Sequence, residues 1–363
     1  MHNISHKDSC QEEVFSSPVK QVRVLVIDDS LVVRSILERI IGGHDGFELA
    51  GSLASAIDAV EFLKKNSVDI ILLDIEMPDR CGLDALPDIL AKCGAARVMI
   101  LSSACEEGGP AAVRALSLGA CDTMAKPGRS SFAGNFSSML IGRMQQLVRS
   151  NLNECTPAET IVMPVPQVPQ DQPGCIAIGA STGGIPAIHT LLENISPAID
   201  APMLLTQHLP ETFLPFLVRQ LEKFTDRRVV LGQQGMELER SHIYVAPGHG
   251  HMTCECIGSQ VRLSIVPGAM PSAYTPAVDP MLASVASVFG SDALAIIMSG
   301  MGRDGLLGAE KMAAEGAQIL VQDPETSVVW GMPGVVARAG LANAIMPVDR
   351  IARHINQLQK VTA

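Results

Sequence analysis

The sequence lacks any apolar run approaching the roughly 18 residues that would cross a bilayer, so a membrane-spanning reading is excluded. Met1 to Lys20 lack the apolar core of a secretory leader. No CxxC pair occurs among the nine cysteines. An odd number of scattered thiols with no framework suits a reducing compartment, and a cytoplasmic protein is expected. Positive charge is in short supply: 27 Lys and Arg against 38 Asp and Glu leave a net −11, which excludes a broad nucleic-acid footprint. Charged residues of both signs make up only 18%, too few for a mostly disordered chain. No segment repeats with a period of about 20–50 residues, so a solenoid is excluded.

What is present is apolar material for two cores: 47% of 363 residues, at about 150 residues per domain. Residues 1–20 read as a flexible tail. From Val22 the patterning becomes regular. Val22–Ile27, Ile70–Leu73, Val98–Leu101 and a short segment at Thr123-Met124 have the β-branched, continuous character of buried parallel strands. Helical stretches separate them, the first over Leu31–Ile41 before Gly42-Gly43. Such alternation predicts a parallel sheet covered on both faces. The pattern stops near Val148. Five prolines within 153–173 predict an extended linker. At Cys175 a second α/β domain begins, with buried strands at Cys175–Ile178, Met203–Leu205, Ala293–Met298 and Gln318–Val321. Val229–Leu231, Ile243–Ala246 and Val261–Val266 stand among turns and read as a more antiparallel insertion. The boundaries expected are 21–145, a linker over 146–173, and 174–358.

In the first domain, polar residues sit at strand exits. Asp28-Asp29 follow the first strand, Asp74 another, Ser102-Ser103 a third and Lys126-Pro127 a fourth. The carboxyl ends of strands in a doubly wound sheet line one crevice. Three carboxylates gathered there suit a hard cation such as Mg²⁺, a lysine balances a phosphoryl group, and a hydroxyl hydrogen-bonds it. Strand-end acids also cap following helices, which is the plainer alternative. Over Val22 to Lys126 the chain resembles the response-regulator receiver domain, carried by Leu73-Asp74-Ile75-Glu76-Met77-Pro78 and Lys126-Pro127. The resemblance implies a flavodoxin-like fold, Asp74 as phospho-acceptor, and Mg²⁺ held by Asp28, Asp29 and Asp74. It further implies Ser102 and Lys126 as phosphoryl-sensing groups, and a sensor histidine kinase as phosphodonor. Cys81 departs from the family pattern, in which an acidic residue often precedes the glycine that is here Gly82.

The second domain carries Gly179-Ala180-Ser181-Thr182-Gly183 between a buried strand and a helix, which satisfies the GxSxG spelling of a nucleophile elbow. A glycine-rich strand-to-helix turn also fits phosphate binding at a helix N-terminus. Two more strand exits carry Gln207-His208 and Gly300-Met301-Gly302-Arg303-Asp304-Gly305. One crevice then holds a serine, an imidazole to take its proton and an acid to orient the imidazole. Thr182 and Met301, beside glycines, are candidates to turn backbone N–H groups toward an oxyanion. The order Ser, His, Asp differs from that of α/β-hydrolases.

From Gly174 to His354 the chain is similar to the catalytic domain of the CheB family of chemotaxis protein-glutamate methylesterases. The motifs that carry this are Ala177–Gly184, Gln207-His208, Tyr244-Val245-Ala246-Pro247-Gly248 and Ser299–Gly305. The resemblance implies a Rossmann-like domain, Ser181 as nucleophile, His208 as general base and Asp304 as orienting acid, with no cofactor for the ester chemistry. It implies glutamate γ-methyl esters of methyl-accepting chemotaxis receptors as substrate, with receptor glutamine deamidation as a second activity. Thr275 stands where the family usually has an arginine before the proline. His249, His251, Cys254 and Cys256 offer zinc-type ligands, but a turn into a strand accounts for them as packing, with Cys254 and Cys256 on one face. His189 reads as a packing or surface residue, Cys121 and Cys175 as apolar fillers, and Trp330 as either packing or crevice lining. Two functional classes remain: a phosphorylation-controlled esterase, and a phospho-dependent docking protein without turnover. The same enzyme in a receptor-like pathway unrelated to motility is a third reading.

Overall fold

The computed structural model describes residues 21–78, 80–102, 108–126, 135–152, 172–268 and 274–358. The expected tail and the Pro-rich stretch 153–171 lie outside them.

The first unit runs β1 (Val22–Ile27), α1 (Leu31–Gly42), β2 (Phe47–Leu53), α2 (Ala56–Leu63), β3 (Ile70–Asp74), α3 (Gly82–Lys92), β4 (Arg97–Ser102), α4 (Gly108–Leu118), β5 (Asp122–Ala125) and α5 (Asn135–Leu152). Its sheet is parallel throughout, in the order β2-β1-β3-β4-β5. β3 is buried at every position, which is why it reads as an unbroken apolar run. β2 went unmarked in the sequence because it is an edge strand: only Phe47 is buried, and Glu48, Gly51 and Ser52 interrupt its apolar residues. Ser30 and Ser55 cap α1 and α2 by accepting the N–H groups of Val33 and Ile57. α5 continues to Leu152, past the domain end expected at 145, because Leu140, Met144 and Leu147 extend a buried stripe along it.

The second unit runs β6 (Cys175–Ala180), α6 (Gly184–Asn194), β7 (Met203–Gln207), α7 (Leu214–Leu221), β8 (Arg228–Leu231) and β9 (His242–Val245). It continues through β10 (Gly250–Ile257), β11 (Gln260–Pro267), α8 (Val278–Phe289), β12 (Ala293–Ile297) and α9 (Leu306–Ala314), then β13 (Gln318–Gln322), α10 (Met332–Arg338), β14 (Ala344–Met346) and α11 (Val348–Gln357). Seven strands form a parallel sheet in the order β14-β13-β12-β6-β7-β9-β8. This corrects part of the expected insertion: β8 and β9 belong to the main sheet in parallel register. Among the described residues only β10 and β11 form an antiparallel hairpin. Short strands among turns carry no mark of their direction; the neighbour they pair with decides it. The chain leaves β6 toward β7 and later returns to β12 on the other side, so the order reverses beside β6. That reversal opens a crevice at the strand C-termini.

The two units share one apolar core, in which α4 packs on α6 and α7. On the α5 side, Met301 and Val329 pack with Cys121, Met124 and Leu140. The first unit therefore lies against the crevice of the second.

Candidate active site

Ser181 follows β6 directly. Its backbone N–H donates to the Ser299 carbonyl at 3.0 Å, tying the β6 exit to the β12 exit. The turn into α6 needs glycine at 183, where φ is +74° and a Cβ would lie 2.3 Å from the Val328 side chain. Gln207 holds the β7 side: its Nε2 donates to the Ser181 carbonyl at 2.8 Å, while the His208 N–H donates to the Ala180 carbonyl at 3.1 Å. The serine and histidine loops are thus bound backbone to backbone.

Nε2 of His208 lies 2.7 Å from Oδ2 of Asp304. That same oxygen accepts the Val278 N–H at 2.7 Å, while Oδ1 accepts those of Asp279 and Gly305 at 2.9 and 3.0 Å. Asp304 therefore caps α8 from outside the helix, where the macrodipole favours negative charge. Burial pushes its carboxyl upward, but the bond to His208 and the N–H groups outweigh it and hold the group below the usual carboxylate range. An ionised Asp304 demands the proton on Nε2 of His208. The lone pair then sits on Nδ1, which is buried and makes no hydrogen bond among the described residues. Tyr274 stacks on the imidazole, with centroids 4.3 Å apart and planes at 12°. Thr182 and Met301 are both buried at the crevice, and no backbone acceptor takes either N–H among the described residues. The phosphate-binding alternative loses two of its donors here: the N–H groups of Gly183 and Gly184 go to the carbonyls of Cys121 and Ser181.

The His249–Cys256 run does not assemble a metal centre among the described residues. His249 is exposed near Glu211, His251 is buried, Cys254 bonds Ser284, and Cys256 is exposed although Cys254 is buried. Of the two places open to His189, the structure gives the core, where it stacks on Phe224. Trp330 is held by its N–H to the Gln322 carbonyl at 2.8 Å. Reading along the chain missed the stack of Tyr274 on His208, because Tyr274 does not belong to a strand-exit motif.

The first unit has its own polar pocket. Lys126 Nζ lies 2.7 Å from Oδ2 of Asp28 and 2.6 Å from Oδ2 of Asp74. Both carboxylates are 1% exposed, and Asp29 stands beside them at the rim. Ligand oxygens of Asp28, Asp29 and Asp74 fall within 4.8 Å of one another. Burial pushes Asp74 up to about 6 despite Lys126. Burial lowers Lys126, but its bonds to the two carboxylates outweigh this and raise it. The hydroxyl of Ser102 is buried at the adjacent strand end. An all-oxygen donor set of this size fits Mg²⁺.

Lys126, at the edge of that pocket, and the crevice residues border the same interdomain space. A cleft of about 960 Å³ is lined by Lys126, Phe136 and Arg143 from one unit and Ser181, His208 and Tyr274 from the other.

Family comparison agrees with this division. Residues 176–355 match the model of the CheB methylesterase, and residues 24–131 that of the response regulator receiver domain. A protein-glutamate methylesterase/protein-glutamine glutaminase of Paramagnetospirillum magneticum is 33% identical over 371 residues, 94% of this chain and 97% of the relative. The chain belongs to the CheB methylesterase family. A second CheB-type relative, from Caulobacter vibrioides, is 36% identical over 343 residues, covering 92% and 98% of the two chains. The crystal structure of the Thermotoga maritima CheB methylesterase catalytic domain aligns with a TM-score of 0.50 at 30% identity. It covers 52% of this chain and 99% of that one. Among the described residues no helix is long and apolar enough to cross a membrane.

Proposed function

We propose that this chain hydrolyses glutamate γ-methyl esters on chemotaxis receptors in the cytoplasm, and deamidates receptor glutamines, under control of phosphorylation at Asp74. The observation that carries the reading is the His208–Asp304 contact at 2.7 Å, set at the exit beside Ser181. In this scheme Nδ1 of His208 takes the Ser181 proton as Oγ attacks the ester carbonyl. The N–H groups of Thr182 and Met301 receive the developing oxyanion. The tetrahedral adduct expels methanol, protonated from Nδ1, and leaves an acyl-serine. Water, deprotonated by the same nitrogen, releases the glutamate carboxylate. An amide follows the same steps with ammonia leaving. Asp304 stays ionised and stabilises the imidazolium.

In the receiver, a sensor histidine kinase supplies the phosphoryl group to the Asp74 carboxylate. Asp28, Asp29 and Asp74 would hold Mg²⁺, which when bound would supply positive charge to offset that of the phosphoryl oxygens. Lys126 and Ser102 then respond to the added negative charge. The docked receiver narrows the approach to Ser181 for a receptor helix, whose diameter with side chains is about 10–12 Å, and phosphorylation opens it.

Methanol release from methylated receptor membranes tests the reading. Ser181→Ala is expected to abolish turnover in a folded protein. Wild-type release by that variant would overturn the site.

A further inference from the structure

Helix α8 starts without a capping side chain of its own. Its N-cap is Ala277, so its first N–H groups need acceptors from elsewhere. Three consecutive donors find them. The Val278 and Asp279 N–H groups go to the two oxygens of Asp304, and the Ala277 N–H goes to Nδ1 of His251 at 3.0 Å. One helix end is therefore held by two side chains, and one of them is the acid that orients His208.

His251 is fully buried at 0% exposure, in β10. That strand packs along α8 and is tied to it again where the Cys254 N–H meets the Ser284 hydroxyl at 3.0 Å. Because Nδ1 accepts a bond, the His251 ring carries its proton on Nε2 and is neutral. Burial favours the same state, pushing its pKa down against the nearby charge of Asp304. The anchored residue, Ala277, sits between two contacts of the site. Three residues before it, Tyr274 covers the face of His208; immediately after it, Val278 and Asp279 grip Asp304.

We propose that His251 is a positioning residue for the hydrolytic site: by pinning Ala277 it holds both the amide pair that orients Asp304 and the Tyr274 ring that covers His208. It touches neither substrate nor the reacting atoms. The inference rests on the assignment of Ser181, His208 and Asp304 above. Packing alone predicts something different. If His251 only filled volume, leucine would replace it well. If Nδ1 is what matters, asparagine, whose Oδ1 falls near the same place, replaces it better although it leaves a void.

The test uses the full chain with acetyl phosphate and methylated receptor membranes, comparing wild type, His251→Leu, His251→Asn, His251→Gln and Ser181→Ala. A misplacement of the acid on the order of 1 Å costs about a hundredfold. His251→Leu is accordingly expected to lose about ten- to a hundredfold in kcat, with KM little changed. The acidic limb of its kcat/KM profile should move, because a loosened Asp304 stabilises the His208 imidazolium less. His251→Asn should recover most of the rate even if it melts at a lower temperature, whereas His251→Gln, whose acceptor reaches the Nε2 position, should not. Equal rates for the leucine and asparagine variants overturn the proposal, as does a pH profile that stays fixed while kcat falls. If the leucine variant does not fold, the asparagine–glutamine pair decides, and a faster glutamine variant overturns the proposal. These results with Ser181→Ala inactive count against His251 alone. An active Ser181→Ala overturns the site assignment and the inference together.

Discussion

The backbone N–H of Gly183 donates to the carbonyl of Cys121 at 2.9 Å, and this bond joins the hydrolase unit to the receiver. Gly183 lies at the start of α6, two residues beyond Ser181, where a helix leaves N–H groups unsatisfied. Cys121 directly precedes β5, and Lys126 directly follows it. One short strand thus has the nucleophile's turn at one end and the phosphoryl pocket at the other.

Docking of the receiver should therefore be separable from its phosphorylation. A Cβ at Gly109 in α4 would lie 2.8 Å from the Phe216 ring of α7. Gly109→Val is expected to push the receiver off and raise receptor demethylation without phosphodonor, while Asp74 is still labelled at the wild-type rate. Removing residues 1–152 should give the same rise. Methanol release on the same membranes compares them; no increase in either protein would mean that docking does not restrain the enzyme.

The receiver switch should depend on the acidic pocket and spare the ester chemistry. Asp74→Asn should hold the full chain at its unphosphorylated rate with phosphodonor present. Asp29→Ala, or excess chelator, should block labelling of Asp74 and leave basal methanol release unchanged. Labelling with radioactive phosphodonor checks this, and normal labelling in chelator would refute the metal assignment. With burial raising Asp74 to about 6, its nucleophilic carboxylate is lost as pH falls through that value, so metal-limited labelling should decline there.

Asp304→Asn should damage both catalysis and folding. Each oxygen of Asp304 already accepts a backbone N–H. An asparagine therefore turns its NH₂ toward a donor whichever way it flips. Loss of the charge also removes the demand that keeps the His208 proton on Nε2. A fall in kcat of up to about 10⁴-fold is expected, with a lower Tm; steady-state rates and a thermal melt measure the two effects. Near-wild-type kcat would remove Asp304 from the mechanism.

His189 should make the protein sensitive to mild acid. Burial against Phe224 pushes its pKa down to about 4 from an ordinary 6.5. The unfolded chain therefore takes up the proton first. Stability is complete above the unfolded value and is lost as pH falls from 6.5 toward 4, by at most about 3 kcal/mol for a displacement of this size. His189→Phe should flatten urea stability over that window, and an unchanged slope would show that another group titrates there.

Much of the site was legible because it stands at strand exits. A strand buried on both faces is a short apolar run, and the first polar residues after it are conspicuous: Asp74 after Ile70–Leu73, Ser181 after β6, His208 after β7. Strands at the margins left weaker traces. β2 has one buried residue and β14 is three residues long, while β8 and β9 gave no sign of pairing in parallel with the main sheet.

The sequence by itself determined two α/β units, where most of their buried strands lie along the chain and the polar residues delivered to each crevice, because strand burial and turn chemistry are local properties of the chain. Only the tertiary structure decided which nitrogen of His208 faces Asp304, that Asp304 caps α8, that Tyr274 covers the imidazole, and that Cys121 meets Gly183. His251 and Ala277 are 26 residues apart and meet across a strand and a helix. Such pairs follow from how whole elements pack, and nothing in the local pattern of either residue announces the other.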